Sequence, residues 1–271
     1  MKPAAFDYVR AESLDEALEV LRHEGSDARV IAGGQSLMPM LNMRLSKPRV
    51  LVDIMRLEEL RKVEPRQGRI VIGAAVRQAE LLEWPSLARE LTLLSLALPW
   101  TGHVQTRSRG TICGSVAHAD PSAELPLTLL ALDGEIILRS ARRQRRVAAR
   151  DFFRGVMATD RNDDELIEMV ELPTTNGKRC AFREVARRHG DFAIVACAAV
   201  ETDRGARLAI GGVADTPVAR EFDRLGGSAL DDALNALAWD LDARDDFHAT
   251  ARYRRDLVRM IGRDLIAEVT R

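Results

Sequence analysis

A chain of 271 residues with 46% apolar and 30% charged side chains can bury a substantial core and is too apolar to remain disordered. Its 40 basic and 41 acidic side chains leave a formal net charge of -1, which gives no general attraction to nucleic acid or anionic membranes, and an aromatic content of 4% argues against a base-stacking platform. Three scattered cysteines, Cys113, Cys180 and Cys197, exclude a disulfide framework and a four-cysteine iron–sulfur cluster; with no signal-like N-terminus and no apolar run of about 18 residues, they predict a cytoplasmic protein without a transmembrane segment.

Taken in chain order, Ser13-Leu14-Asp15-Glu16 reads as a capping box in which Glu16 reaches back to the Ser13 N–H. Leu14, Ala17, Leu18 and Leu21 form one helical face, which Gly25 stops. Ala28 to Ala32 reads as a strand ending in Gly33-Gly34; Leu37, Met38, Leu41 and Leu45 suggest a following helix. Val50 to Ile54 and Arg69 to Gly73 read as further strands. Ala75 to Leu98 is helix-rich, broken at Trp84-Pro85, with Leu87, Leu91, Leu94 and Leu98 on one side. His103 to Gly110 has no periodicity. An apolar run follows from Glu124-Leu125-Pro126 to Leu132, then a strand from Glu135 to Leu138.

The six arginines between Arg139 and Arg150 read either as a solvated hairpin edge or as a docking surface. The turn-rich Pro173-Thr174-Thr175-Asn176-Gly177-Lys178 follows a strand-like Leu166 to Leu172 and marks the best domain boundary. Beyond it, Ala193 to Val200 and Ala206 to Val213 read as strands around Asp203-Arg204-Gly205, and the chain ends in helices. The last places Tyr253, Leu257, Met260, Ile261 and Leu265 near helical spacing. This order of elements predicts an α+β or mixed α/β fold.

The sequence lacks a G-x-x-x-x-G-K-[ST] loop, a G-x-G-x-x-G fingerprint, a G-x-S-x-G elbow and metal-type His or Cys spacing. What it carries is two glycine loops. In Ile31-Ala32-Gly33-Gly34-Gln35-Ser36-Leu37, two glycines permit positive φ and close approach of a ligand, and successive N–H groups can form an anion-binding concavity ahead of a helix. An ordinary strand-to-helix turn is the plain alternative. In Arg109 to Pro121, Thr111 and Ser115 can donate to phosphate oxygens beside Gly110 and Gly114, while Asp120 and Glu124 supply acceptors. His118 reads as a hydrogen-bonded loop histidine, and Cys113 as a small packing residue.

These loops carry a resemblance. Ala32-Gly33-Gly34-Gln35-Ser36-Leu37-Met38-Pro39, Arg109-Gly110-Thr111-Ile112-x-Gly114-Ser115-x-Ala117-His118-Ala119-Asp120-Pro121 with Glu124-Leu125-Pro126, and Ala186-Arg187-Arg188-His189-Gly190-Asp191-Phe192-Ala193 occur in the right order. Together they closely resemble the FAD-binding medium subunit of molybdenum hydroxylases, the carbon monoxide dehydrogenase and xanthine dehydrogenase group, over essentially the whole chain. The resemblance implies a two-part FAD-binding domain of the vanillyl-alcohol-oxidase-like type, two α/β subdomains over residues 1–176, and an α+β C-terminal domain over 177–271.

It also implies FAD-binding positions. Ile31, Ala32, Gly33, Gly34, Gln35, Ser36 and Leu37 on one loop, and Thr111, Ile112, Cys113, Gly114 and Ser115 on the other, would wrap the pyrophosphate. Ala117, Asp120, Glu124, Thr101 and Gly102 would lie near the cofactor, as would Ile167, Arg183 and Phe192 on looser local matches. Cys113 stands where the family usually has glycine; a negative φ would tolerate its side chain, which would still crowd a close phosphate contact and weaken FAD retention or expose a thiol beside the flavin. Ser108 stands where asparagine is common.

The implied function is electron transfer through FAD. Electrons would pass from a molybdenum cofactor in a large subunit, through two-iron clusters in a small subunit, to FAD here and on to an external acceptor. The implied assembly is a dimer of heterotrimers, with no catalytic acid or base and no metal in this chain. Two alternatives stay open: a stand-alone FAD-dependent oxidoreductase, with His189 or Asp191 as its acid–base group, and an assembly subunit that has lost FAD.

Overall fold

The computed structural model describes residues 2–224 and 226–271. The first unit is a parallel sheet of three short strands, β1 (Asp7–Arg10), β2 (Ala28–Ile31) and β3 (Val50–Asp53), in the order β1-β3-β2. Helix α1 (Leu14–Glu24) covers it, burying Ala17, Leu18 and Leu21. Ser13 caps α1 by accepting from the Glu16 N–H, and Gly25 closes it at φ 53°. The Glu16 carboxylate accepts from the Glu12 N–H rather than from Ser13, so only half of the expected capping box forms. Helix α2 (Leu37–Asn42) is a single short element; Arg44 turns the chain at φ 59° and Leu45, counted above as part of a helical face, lies exposed.

The second unit is an antiparallel sheet of β4 (Val63–Arg66), β5 (Arg69–Gly73), β6 (Glu135–Arg139), β7 (Gln144–Ala148) and β10 (Leu166–Pro173), ordered β4-β5-β10-β6-β7. Between β5 and β6 lie α3 (Gln78–Leu82), α4 (Leu87–Glu90), α5 (Thr92–Ala97), α6 (Val104–Arg107), α7 (Ile112–His118) and α8 (Glu124–Ala131). Leu87, Leu91, Leu94 and Leu98 are all buried, as their spacing predicts. The aperiodic His103 to Gly110 contains α6, a single turn too short for a periodicity to register. After β7 come α9 (Ala149–Phe152) and the two-stranded ribbon β8 (Phe153–Gly155) and β9 (Ala158–Thr159).

The arginines of the β6–β7 hairpin serve the fold itself. Arg145 pairs with Glu165 and Asp160 at 2.7 Å each, and Arg146 with Glu171 and Glu135 at 2.5 and 2.6 Å. Glu165 and Glu171 are buried, so their charges need these partners.

The third unit is an antiparallel meander, β11 (Cys180–Val185), β12 (Val195–Glu201), β13 (Gly205–Gly211) and β14 (Val218–Asp223), backed by α10 (Gly227–Asp240) and α11 (Ala251–Val269). Both faces of β12 are covered: Ala196, Ala198 and Val200 join the core of the first two units, while Val195, Cys197 and Ala199 join a second core under α10 and α11. That explains a continuous apolar run instead of an alternating one. On α11, Leu257, Ile261 and Leu265 are buried, but Tyr253 and Met260 face outward, so the apolar stripe is narrower than the sequence suggests. Among the described residues no helix is long and apolar enough to cross a membrane, and no group of three or more His, Cys, Asp or Glu side chains is placed to hold a metal.

Candidate functional site

The two glycine loops meet backbone to backbone. A Cβ on Gly33 would lie 2.0 Å from the Arg109 carbonyl oxygen and 2.7 Å from the Gly110 Cα, so only glycine permits the contact. Gly34 follows at φ 71°, where an L side chain is strained. The Gln78 N–H donates to the Gly110 carbonyl at 2.8 Å and ties the second loop to α3. The second loop therefore rides on the antiparallel sheet unit, and the first on the parallel sheet.

Between them lies a cavity of about 450 Å³, lined by Gly33 to Leu37, by Thr111, Gly114, Ser115 and Ala117, and on its deeper apolar side by Ile54, Ala74, Leu166 and Ile167. Ile31 to Gln35 also line a second cavity of about 540 Å³ with Tyr8, Asp53 and Arg109. The first glycine loop is thus a wall common to two adjoining cavities.

The loops offer different donors. Among the described residues, the N–H groups of Gly33, Gly34, Gln35 and Ser36 donate to no backbone or side-chain acceptor. In the second loop, the Gly114 and Ser115 N–H groups bond to the Thr111 hydroxyl and carbonyl, at 3.0 and 3.2 Å, because Thr111 is the N-cap of α7. That loop still offers the Thr111 hydroxyl, whose Oγ accepts from Gly114 and keeps its own proton to donate, and the Cys113 N–H, which has no acceptor among the described residues. With six residues in α2 and seven in α7, single N–H groups and hydroxyls carry the site's polarity more than any helix dipole. A row of free N–H groups on a glycine turn packed directly against the second loop's backbone fits a dinucleotide pyrophosphate.

Cys113 is the small packing residue its sequence setting suggests, and its side chain is not the crowding group the resemblance implied. It sits inside α7 with no positive φ, and its buried sulfur points at the Ile72 carbonyl, 3.7 Å away in the core. Burial pushes the thiol up to about 12. It lines the cleft, but its sulfur is turned into the core and presents no thiolate there. The Ile112 side chain is likewise core. His118 lines the cleft, and its burial lowers its pKa, which favours the neutral ring.

Thr101, Gly102, Asp120, Glu124 and Phe192 fall outside that cleft, and Thr101, Asp120 and Glu124 form a second group. Glu124 opens α8, is buried, and is pushed up to about 7 chiefly by desolvation. The buried Thr101 hydroxyl beside it has no hydrogen-bond partner of normal geometry among the described residues. Asp120 accepts from the Ser122 N–H at 2.8 Å and closes its own turn. Arg107 braces the Thr101–Gly102 corner by donating to both carbonyls, at 3.1 and 2.8 Å.

The Arg187 to Ala193 motif reaches the same corner. A Cβ on Gly190 would strike the His103 ring at 2.6 Å, His189 packs on Trp100 with ring centroids 4.9 Å apart, and Phe192 is 66% exposed.

Arg183 is not brought to either group. Strand alternation turns it toward α11, where it pairs with Asp264 and Glu268 at 3.1 and 3.0 Å. Its neighbour Glu184 points the other way, toward Glu124. Both Glu184 carboxyl oxygens are buried without a partner, and desolvation, aided by the Glu124 charge, pushes the group up to about 8. Sequence reasoning missed Glu184. The available signal was the period of two in Cys180, Phe182 and Glu184, which share the face packed on the first core.

Two family models match successive segments of the chain. Residues 4–175 match the model of the FAD binding domain in molybdopterin dehydrogenase, and residues 180–269 that of the CO dehydrogenase flavoprotein C-terminal domain. The chain is 38% identical to the 6-hydroxypseudooxynicotine dehydrogenase complex subunit alpha of Paenarthrobacter nicotinovorans, covering 98% of this chain and 95% of that one. It is 37% identical to the glyceraldehyde dehydrogenase medium chain of Sulfolobus acidocaldarius, over 99% of this chain and 100% of the relative. A solved structure of reconstituted CO dehydrogenase from Oligotropha carboxidovorans superposes with a TM-score of 0.94 at 29% identity, covering 100% of this chain and 99% of that one.

Proposed function

The chain belongs to the family of FAD-binding medium subunits of molybdenum hydroxylases, and on that premise we propose that its glycine cleft holds FAD by the pyrophosphate. The observation that carries this reading is the contact of Gly33 with Arg109 and Gly110, which sets four free N–H groups opposite the Thr111 and Ser115 hydroxyls. When bound, FAD supplies the redox chemistry, taking electrons from a partner subunit and releasing them to an external acceptor.

The protein's part is to bind and orient. Ala32 to Leu37, Thr111, Gly114, Ser115 and Ala117 would hold the phosphates, and Ile167 would pack in the apolar depth of the cleft. The corner at Thr101, Gly102, Glu124 and Phe192 would sit beside the far end of the cofactor, with the buried Glu124 carboxyl holding a proton near neutral pH.

We place the functional division at residues 176/177, between FAD-binding and C-terminal domains. The chain works with a large molybdenum-binding and a small iron–sulfur subunit, in our reading as a dimer of heterotrimers in the cytoplasm. The stand-alone alternative finds no support at its two candidates: the His189 ring is packed against Trp100, and neither His189 nor Asp191 lines the glycine cleft.

Purification of the complex tests the reading. The chain is expected to co-purify with a molybdenum-containing and an iron–sulfur polypeptide and to carry flavin absorbance. A colourless chain that takes up no FAD would overturn it, and a yellow chain that turns over substrate alone would favour the stand-alone alternative.

A further inference from the structure

Two guanidinium groups enter the cleft that the glycine loops line. Arg29 comes from β2, just before the first loop; Arg161 comes from the connection between β9 and β10, on the opposite wall. Arg161 is the less accessible. Its Nη1 donates to the Asn162 and Glu165 carbonyls, both at 2.7 Å, and its remaining donors have no partner among the described residues.

Three carboxylates, Asp163, Asp164 and Glu165, act on Arg161 only at a distance, and none pairs with it. Glu165 is held by Arg145 at 2.7 Å and also accepts from the Asn162 N–H. Asp163 leans to Arg29, 3.8 Å away. Among the described residues no carboxylate comes within 4.0 Å of Arg161. Desolvation, and then the charge of Arg29, act against the protonated form of Arg161 and outweigh Asp163, Glu165 and Asp164, so its pKa is lowered. The cleft therefore stores two like charges, one without an ion-pair partner, beside a row of free N–H groups. Such an arrangement is unfavourable until an anion enters, and a guanidinium with free donors suits phosphate oxygens.

Resting on the FAD reading above, we infer that Arg161, with Arg29 opposite, is a phosphate-recognition site that makes the cleft select the phosphorylated dinucleotide over the bare flavin. The ligand class is a nucleotide pyrophosphate. ADP carries the recognised part and riboflavin lacks it.

The test uses the flavin-stripped complex and measures equilibrium affinity for FAD, ADP and riboflavin at several salt concentrations. Arg161→Ala should weaken FAD and ADP by about tenfold or more, leave riboflavin unchanged, and flatten the salt dependence. Arg161→Lys, which keeps the charge, should recover part of the loss, and Arg29→Gln should show a smaller effect of the same kind. Equal loss for FAD and riboflavin would mean that Arg161 only shapes its loop, and would overturn the inference. Unchanged FAD and ADP affinity in Arg161→Ala would overturn it as well. If the wild-type complex itself takes up no FAD, the functional reading fails. If the wild type binds FAD and Arg161→Ala binds it equally, only this inference fails.

Discussion

Gly33 and Cys113 show how differently two residues of matching loops are constrained. Gly33 stands where one carbon would collide with the Arg109 carbonyl, so Gly33→Ala must push the loops apart. The expected result is loss of FAD together with a destabilisation of about 1–3 kcal/mol, as for other overpacked sites, measured by flavin content and thermal unfolding. Cys113 lines the cleft, yet its side chain is turned away from it. Its sulfur fills core beneath α7, so Cys113→Ala should lower stability by roughly 1 kcal/mol and leave flavin content unchanged. A loss of flavin at unchanged stability would show that the thiol has a binding role after all. A sequence displays both positions as loop residues; only the register of α7 on the core separates them.

At the scale of elements, β11 and α8 hold the least expected feature, two buried carboxyls facing each other across the boundary of two units. Glu184 and Glu124 are raised to about 8 and about 7, above the ordinary carboxyl value near 4.5. The folded state therefore holds protons that the unfolded chain releases. The stabilisation from protonation is complete below about pH 4.5 and is lost as pH rises through the folded values near 7 to 8. Asp120 adds to the repulsion at Glu124 and Arg107 offsets it. Glu184→Gln removes one of the two titrations, so the melting temperature of the variant relative to wild type should climb between pH 6 and pH 9. A constant difference over that range would show that the pair does not titrate as argued. Most elements were legible in the sequence because glycine stops, Ser13 and apolar periodicity act locally. The side-chain direction of Arg183 was not, since whether a strand residue faces α11 or α8 depends on which neighbours pack on each face. The same holds for the α2 helix, whose early end at Asn42 is set by the turn at Arg44.

For the molecule as a whole, the three units divide the work. The parallel sheet presents free N–H groups, the antiparallel sheet presents hydroxyls and an apolar floor, and the C-terminal meander closes the corner at Thr101 and Gly102 by packing Gly190 against His103. The pairing of the loops was legible as motif order, because both are short, glycine-marked and family-specific. The electrostatic contribution of Arg29 and Arg161 was not, because it arises from residues far apart in sequence meeting across one cleft. The most direct measurement of the central claim is the flavin content of Gly34→Val beside wild type, each isolated with its partner subunits. A β-branched side chain at φ 71° is strained, and its Cβ would press on Met38 at 3.3 Å and Ile31 at 3.6 Å, which displaces the loop that carries the N–H row. The account predicts stoichiometric FAD in the wild-type chain and none in the variant, with the variant chain still folded and assembled. Normal flavin content in Gly34→Val would contradict it.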